Sequence, residues 1–435
     1  MRIRSTAAAR LTRLFEQVLG AEVPRGPAAI FALTALVGST GNGVFAVSAA
    51  LFLTRAVDLS VREASVALSL SAAVSIGATA LLGRFADRCS PRAAMVALCG
   101  LRAAVYALLA VVGGFTLLVV ALSLTATSDL LNKPIKQTLM KTTLPEEERR
   151  ESFALQRSII NVAFGLGALI AGVAVSLDSP GVLRSLVILN AVLFLPMMVL
   201  YRRLPEPPRA AVEAATENGV RRRGADPVPS PWRDARYLVF SACSGTLMLH
   251  YVVLSFALPL WLAAHTAAPL ALVGATWIVN TALTAIAQAR WSRWIVGLTR
   301  GANAFVVAGG ALALGCGALY AASCGGAVAA SALILAAGVL LSVAEIIHTT
   351  AEFEVSVALA PEAAQTAYFS VTGAAAALSQ LVGPLLVGAL VLPDPAVGWG
   401  VLAAIVLGAG CLVRATIRPA AVVPAGGGLV PAEGR

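Results

Sequence analysis

Apolar residues run along this chain in long stretches, each ended by a charge, a glycine or a proline, and twelve such stretches follow one another. They cover roughly 27–54, 63–83, 93–113, 115–138, 153–177, 182–201, 236–262, 268–289, 301–322, 326–349, 366–391 and 396–417. A helix crosses the hydrocarbon core of a bilayer with about 20 apolar residues. The pattern therefore predicts an all-α integral membrane protein with twelve transmembrane helices. Between the sixth and seventh stretches, residues 202–235 are polar and carry Pro205, Pro207, Pro208, Arg221, Arg222, Arg223, Pro227, Pro229 and Pro231. This composition predicts a flexible linker between two six-helix bundles, 27–201 and 236–418, with a segment 1–26 ahead of them and a tail 419–435 behind. In the first segment Leu11, Leu14, Phe15, Val18 and Leu19 recur at helical spacing among arginines. That reads either as an amphipathic helix on the inner leaflet or as a disordered tail. It lacks the continuous apolar core of a signal peptide.

Composition narrows the class. Of 435 residues, 58% are hydrophobic and 12% charged, against about 25% charged in soluble proteins. Such a chain cannot cover the surface of a soluble enzyme, a nucleic-acid-binding protein or a secreted disulfide scaffold. The excess of 32 Lys and Arg over 22 Asp and Glu is a matter of orientation. With the N-terminus in the cytoplasm, only Arg55, Arg62 and Arg184 fall in external loops, while Arg102, Lys133, Lys136 and Arg157 fall within spans. Cytoplasmic loops carry the basic excess of membrane proteins, so both termini are expected inside. The six cysteines form no C-x-x-C pair and no histidine stands at metal spacing, so neither a metal site nor a cofactor is expected. The abundance of Ala, and of Arg over Lys, suits a GC-rich bacterial genome and hence a bacterial inner membrane.

The halves resemble each other. A shift of about 216 places Pro145 on Pro361, Phe153 on Phe369, Gly167 on Gly383 and Gly172 on Gly388. Two parallel six-span repeats joined by a linker form a transporter architecture. The loop between spans two and three reads Gly83-Arg84-Phe85-Ala86-Asp87-Arg88-Cys89-Ser90-Pro91-Arg92. It resembles the G-x-x-x-D-R-x-G-R-R pattern of the major facilitator superfamily, matching at Gly83, Asp87, Arg88 and Arg92. In the fifth span, residues 163–172, with Gly167 and Gly172, are similar to that family's antiporter pattern G-x-x-x-G-P-x-x-G-G, Ala168 and Ala171 replacing a proline and a glycine. The eleventh span has the better copy, with Gly383, Pro384 and Gly388. Glycines at such spacing let helices approach closely in lipid. The resemblance implies that Gly83, Arg84, Asp87, Arg88 and Arg92 form a conformational latch, Asp87 meeting the N-terminus of the eleventh helix in the outward-facing state. The other reading of Asp87 is a loop ion pair with Arg84 or Arg88. The equivalent loop of the second half, 290–300, keeps arginines but has no acid, so the latch reads as one-sided.

Ionisable groups at membrane depth are costly and mark function by default. The spans hold Arg102, Asp129, His250, Glu345 and His348, with the amides Asn42, Asn161, Asn190, Asn280, Gln288 and Gln380. The resemblance implies that spans one, four, seven and ten line a cavity, which favours Asn42, Asp129, His250 and Glu345, with Asn280 as a further substrate contact. Asp129 is the expected proton carrier and Arg102 its partner, each about 13 Å deep by helical rise. The alternative is a static ion pair that staples spans three and four. Glu345 and His348 read as lying near the cytoplasmic end of span ten, where Glu345 could serve coupling or pair with Arg290 or Arg293. Lys133 and Lys136 read as snorkelling residues, and Pro134 as a kink. Together these expectations describe a monomeric secondary transporter in the bilayer, exporting a small organic or drug-like molecule against protons. Nutrient uptake by proton symport is the alternative within transport. An integral-membrane enzyme would need clustered nucleophiles or acids that this sequence lacks.

Overall fold

In the computed structural model, residues 25–86, 89–177, 179–206, 230–361 and 364–417 are described, and among them regular structure is helical throughout. Twelve helices are long and apolar enough to cross a membrane. They are α1 (Gly26–Ala56), α2 (Val61–Ala86), α3 (Pro91–Val111), α4 (Phe115–Thr143), α5 (Glu146–Val175) and α6 (Pro180–Arg202). The second half supplies α7 (Ala235–His265), α8 (Leu272–Trp294), α9 (Leu298–Ala322), α10 (Ala327–Leu359), α11 (Gln365–Leu386, followed by a π turn Val387–Val391) and α12 (Pro395–Thr416). Segments 1–24, 207–229 and 418–435, and with them the expected amphipathic segment, most of the linker and the tail, lie outside the described residues.

Helix starts follow local chemistry. Proline opens α1, α3, α6 and α12, where its missing N–H would have had no partner. Ser90, Asp234 and Asp394 cap α3, α7 and α12 through their side chains. Ser60 and Glu63 close α2 reciprocally: the Ser60 N–H donates to Glu63 Oε2 (2.9 Å) and the Glu63 N–H to Ser60 Oγ (3.2 Å), a capping box. Four helices outrun their apolar stretches by five residues or more, among them α8, which ends at Trp294. α4 reaches Thr143, α5 begins at Glu146 and α10 continues to Leu359, because no glycine or proline interrupts those polar ends and the helix stops only beside Pro145 and Pro361.

Packing repeats with the chain. In the first half α1 packs on α5 and α6, α3 on α4 and α6, and α2 on α4; in the second, α7 packs on α11 and α12, α9 on α10 and α12, and α8 on α10. Adding six to each helix of the first set generates the second. The halves meet through α5 against α8 and α2 against α11, a pair related by the same rule. Glycine permits the closest of these approaches. A Cβ on Gly167 would strike the Thr40 carbonyl of α1, and one on Gly172 would stand 2.5 Å from Gly274 Cα of α8. Gly388 abuts the Ser65 side chain of α2, and Gly383 faces Val252 of α7. Pro384 lies inside α11 beside Gly383, and Pro134 lies inside α4, which continues unbroken to Thr143.

At the end where α1 finishes, Arg184 of α6 donates through its two terminal nitrogens to the Ala110 carbonyl of α3 and the Ala56 carbonyl of α1, both at 2.6 Å. It thereby satisfies carbonyls that two helix C-termini leave open. Arg184→Lys keeps the charge but not the fork. It is expected to lower the unfolding midpoint of the purified protein, at a cost of about 2 kcal/mol for one lost charged hydrogen bond.

Candidate functional site

Asp129 sits midway along α4, fourteen residues from either end, about 21 Å by helical rise. Its side chain is 52% exposed. At that depth an exposed ionised group is costly in lipid and is favoured where water reaches it. Arg102 of α3 pairs with Asp129, donates from Nε to Ser128 Oγ at 2.8 Å, and lies over the Phe194 ring of α6 at 5.1 Å from its centroid. The guanidinium side chain is only 5% exposed. Its anchorage on α4 and α6 makes it the fixed member of the pair.

The offset of about 216 that relates the halves carries Asp129 onto Glu345. Glu345 is the structural counterpart on α10, with a side chain 28% exposed. α10 runs on to Leu359, so Glu345 lies near mid-helix, and the expectation that it and His348 stand near a membrane face is corrected. Its partners are also corrected: in place of Arg290 or Arg293, Glu345 Oε2 accepts from Asn280 Nδ2 of α8 at 2.7 Å and faces His250 Nε2 of α7 at 3.9 Å. The His250 Nδ1–H donates to the Leu247 carbonyl at 2.8 Å. One step along, His348 Nε2 meets Ser244 Oγ at 3.0 Å and Glu352 Oε2 at 3.6 Å, and its ring centroid lies 5.9 Å from that of His250. His250, Asn280 and His348 are buried. Sequence reading found His250, Asn280 and Glu345 separately; Ser244 and Glu352 it missed, although Glu352 follows Glu345 by two helical turns and so shares its face.

Asn42 is exposed on α1, and none of the hydrogen bonds among the described residues ties it to this cluster. Of the loop pattern, Gly83 and Arg84 fall in α2, and Asp87 and Arg88 lie outside the described residues. Arg92 turns to the end of α6: it donates to the Leu204 carbonyl at 2.8 Å and pairs with Glu206 at 2.5 Å. The acid missing from the 290–300 loop comes from elsewhere in the chain. Glu354 of α10 accepts from the Gly297 N–H at 3.2 Å, and Gly297 takes a positive φ of 83° there. No group of metal-ligating side chains occurs among the described residues.

Twelve helices in two repeated sets, with charged side chains near the middle of α4 and α10, together with the family match below, define a multi-pass membrane transporter rather than an enzyme. The model of the Major Facilitator Superfamily matches residues 31–384, and the chain belongs to that family. Among solved structures, the nucleoside transporter NupG superposes with a TM-score of 0.72 at 13% identity, covering 91% of this chain and 100% of that one. A peptide transporter POT, solved as a point mutant, gives 0.69 at 16% identity over 92% and 97%. A POT family transporter in complex with a thioalcohol-conjugated peptide gives 0.68 at 13% over 89% and 95%. At these identities the likeness is one of fold. No curated protein matches the sequence.

Proposed function

We propose that this protein is a proton-coupled exporter of a small organic molecule, working by alternating access as a monomer in a bacterial inner membrane with both termini in the cytoplasm. The observation that carries the reading is the pair of repeat-related carboxylates, Asp129 and Glu345, partly exposed at mid-height on α4 and α10. Acids are retained in membrane spans where ions or protons move. The close glycine contacts between the halves, Gly172 on Gly274 and Gly388 on Ser65, lie toward the end where α1 finishes. With the basic loops inside, this is the external end, and the space beside Asp129 faces the cytoplasm, where an exporter collects its cargo. Export over uptake is supported by the glycine pattern of α5. The latch role of Gly83, Arg84, Asp87, Arg88 and Arg92 belongs to the same reading.

Cells overproducing the protein and cells lacking it are compared for accumulation of ethidium, rhodamine 6G, nucleosides and dipeptides, with and without a protonophore. Lower accumulation that the protonophore abolishes is the expected result; higher accumulation would make the protein an uptake symporter. Reporter fusions near Arg25, within 205–230 and after Arg418 should score cytoplasmic, and those near Asp58, Pro180 and Asp394 external. Two adjacent fusions of the wrong sign would overturn the orientation.

A further inference from the structure

We propose that the transported proton is bound between Glu345 and His250 in the second half of the chain, whereas the repeat-related Asp129 is a permanent anion held by Arg102. This inference rests on the proton-coupled reading above and locates its site.

The two carboxylates differ in what neutralises them. Asp129 faces a guanidinium, which stays charged at any accessible pH. Arg102 is buried and anchored on Ser128 and Phe194, so a proton on Asp129 would strand a buried cation, a costly state. Among the described residues, no Lys or Arg forms an ion pair with Glu345. Its neighbours are the Asn280 amide, which donates to Oε2 at 2.7 Å, and the His250 imidazole at 3.9 Å. The Nδ1–H of His250 is committed to the Leu247 carbonyl. In a neutral ring that leaves Nε2 as a lone pair, 3.9 Å from a carboxylate oxygen that also carries only lone pairs. One proton satisfies both acceptors once the two side chains close from 3.9 Å to hydrogen-bond distance. That proton comes from cavity water, rests as Glu345 O–H···Nε2 His250 or as the imidazolium–carboxylate pair, and returns to water on the other side, with no other bond made or broken. Imidazole changes charge in the physiological range, as guanidinium does not.

The surroundings leave this pair distinct. From α7 the titratable neighbour is Tyr251, next to His250 in the chain. From α8 it is the neutral Asn280, and from α9 Phe305, stacked edge-on to His348 at 5.5 Å. On α10 itself, His348 is engaged by Ser244 and Glu352.

With three histidines in the chain, the purified full-length protein can be labelled with ¹⁵N-histidine and each signal assigned by a His→Gln variant. Over a scan from about pH 5 to 8, the range in which histidine switches, His250 is expected to pass between charged and neutral forms. Glu345→Gln should abolish that change, and the charge-neutral pair Asp129→Asn with Arg102→Gln should leave it intact. In vesicles loaded with the pH dye pyranine, Glu345→Gln should lose proton movement driven by ethidium, or by whichever compound of the panel the parent moves, while keeping exchange of labelled for unlabelled compound. Should Glu345→Gln fail to accumulate, the parent and the double variant still decide. A His250 that stays neutral throughout in a parent that couples protons overturns this site and leaves the exporter reading standing. A parent that moves no proton with any compound overturns the exporter reading and, with it, the transport role of this site, whatever His250 does. Loss of the titration in the double variant would move the site to Asp129 and overturn the proposal.

Discussion

Asp129→Asn alone is expected to destabilise the protein by about 3 kcal/mol, toward the lower end of the range for breaking a buried ion pair. The lower end applies because Asp129 is itself half-exposed, so part of its charge is already hydrated. The loss comes from Arg102, which is buried and keeps only Ser128 and the face of Phe194 once the carboxylate is gone. Arg102→Gln should cost less, since the half-exposed Asp129 left behind can take up water. The double variant Asp129→Asn with Arg102→Gln should recover most of the loss, because no charge is then left unpaired. Thermal unfolding of the four detergent-purified proteins checks the ordering. A double variant as unstable as Asp129→Asn would show that the pair is not what holds α3 to α4. If Asp129→Asn were fully stable but blind to protons, Asp129 would be a carrier and not a staple.

The limits of the sequence are visible at particular residues. Hydropathy located all twelve spans because the bilayer imposes one length on each. It misplaced the ends of α4, α5, α8 and α10, where polar helix continues beyond the apolar stretch. That error had a consequence: ending span ten at 349 put Glu345 near a membrane face and offered it Arg290 and Arg293 as partners. The absence of any glycine or proline between Val339 and Ala360 was the available signal for a longer helix. The repeat offset was also legible, and it already aligned Asp129 with Glu345. What no offset could supply was the difference between them, since Arg102 and His250 reach the two acids from helices that do not correspond, α3 and α7. The bonds from Arg92 to the end of α6, and from Gly297 to Glu354 of α10, likewise join residues far apart in sequence, and periodicity carries no information about such pairs.

Gly172→Leu is expected to push the halves apart where they now touch. On α5 this glycine faces Gly274 of α8 so closely that a Cβ would lie 2.5 Å from the opposing Cα. The contact is backbone against backbone, so no side chain can turn aside to make room. Overpacking of this kind costs about 1–3 kcal/mol. The cost falls only on the conformation in which α5 and α8 are in contact. A difference of that size shifts the ratio of closed to open forms at this end by roughly 5- to 150-fold. Spin labels on cysteines at Leu177 and Ala271, both exposed beside the contact, report the separation, with the exposed Cys89, Cys324 and Cys411 first replaced by serine. The parent should give one short distance and Gly172→Leu a longer one, with Gly172→Ala between them. Transport should fall in the same order, because a carrier that cannot close this end completes no cycle. If the distance stays short in Gly172→Leu while the protein remains folded, neighbouring helices have absorbed the side chain, and the α5–α8 contact is not where the halves part.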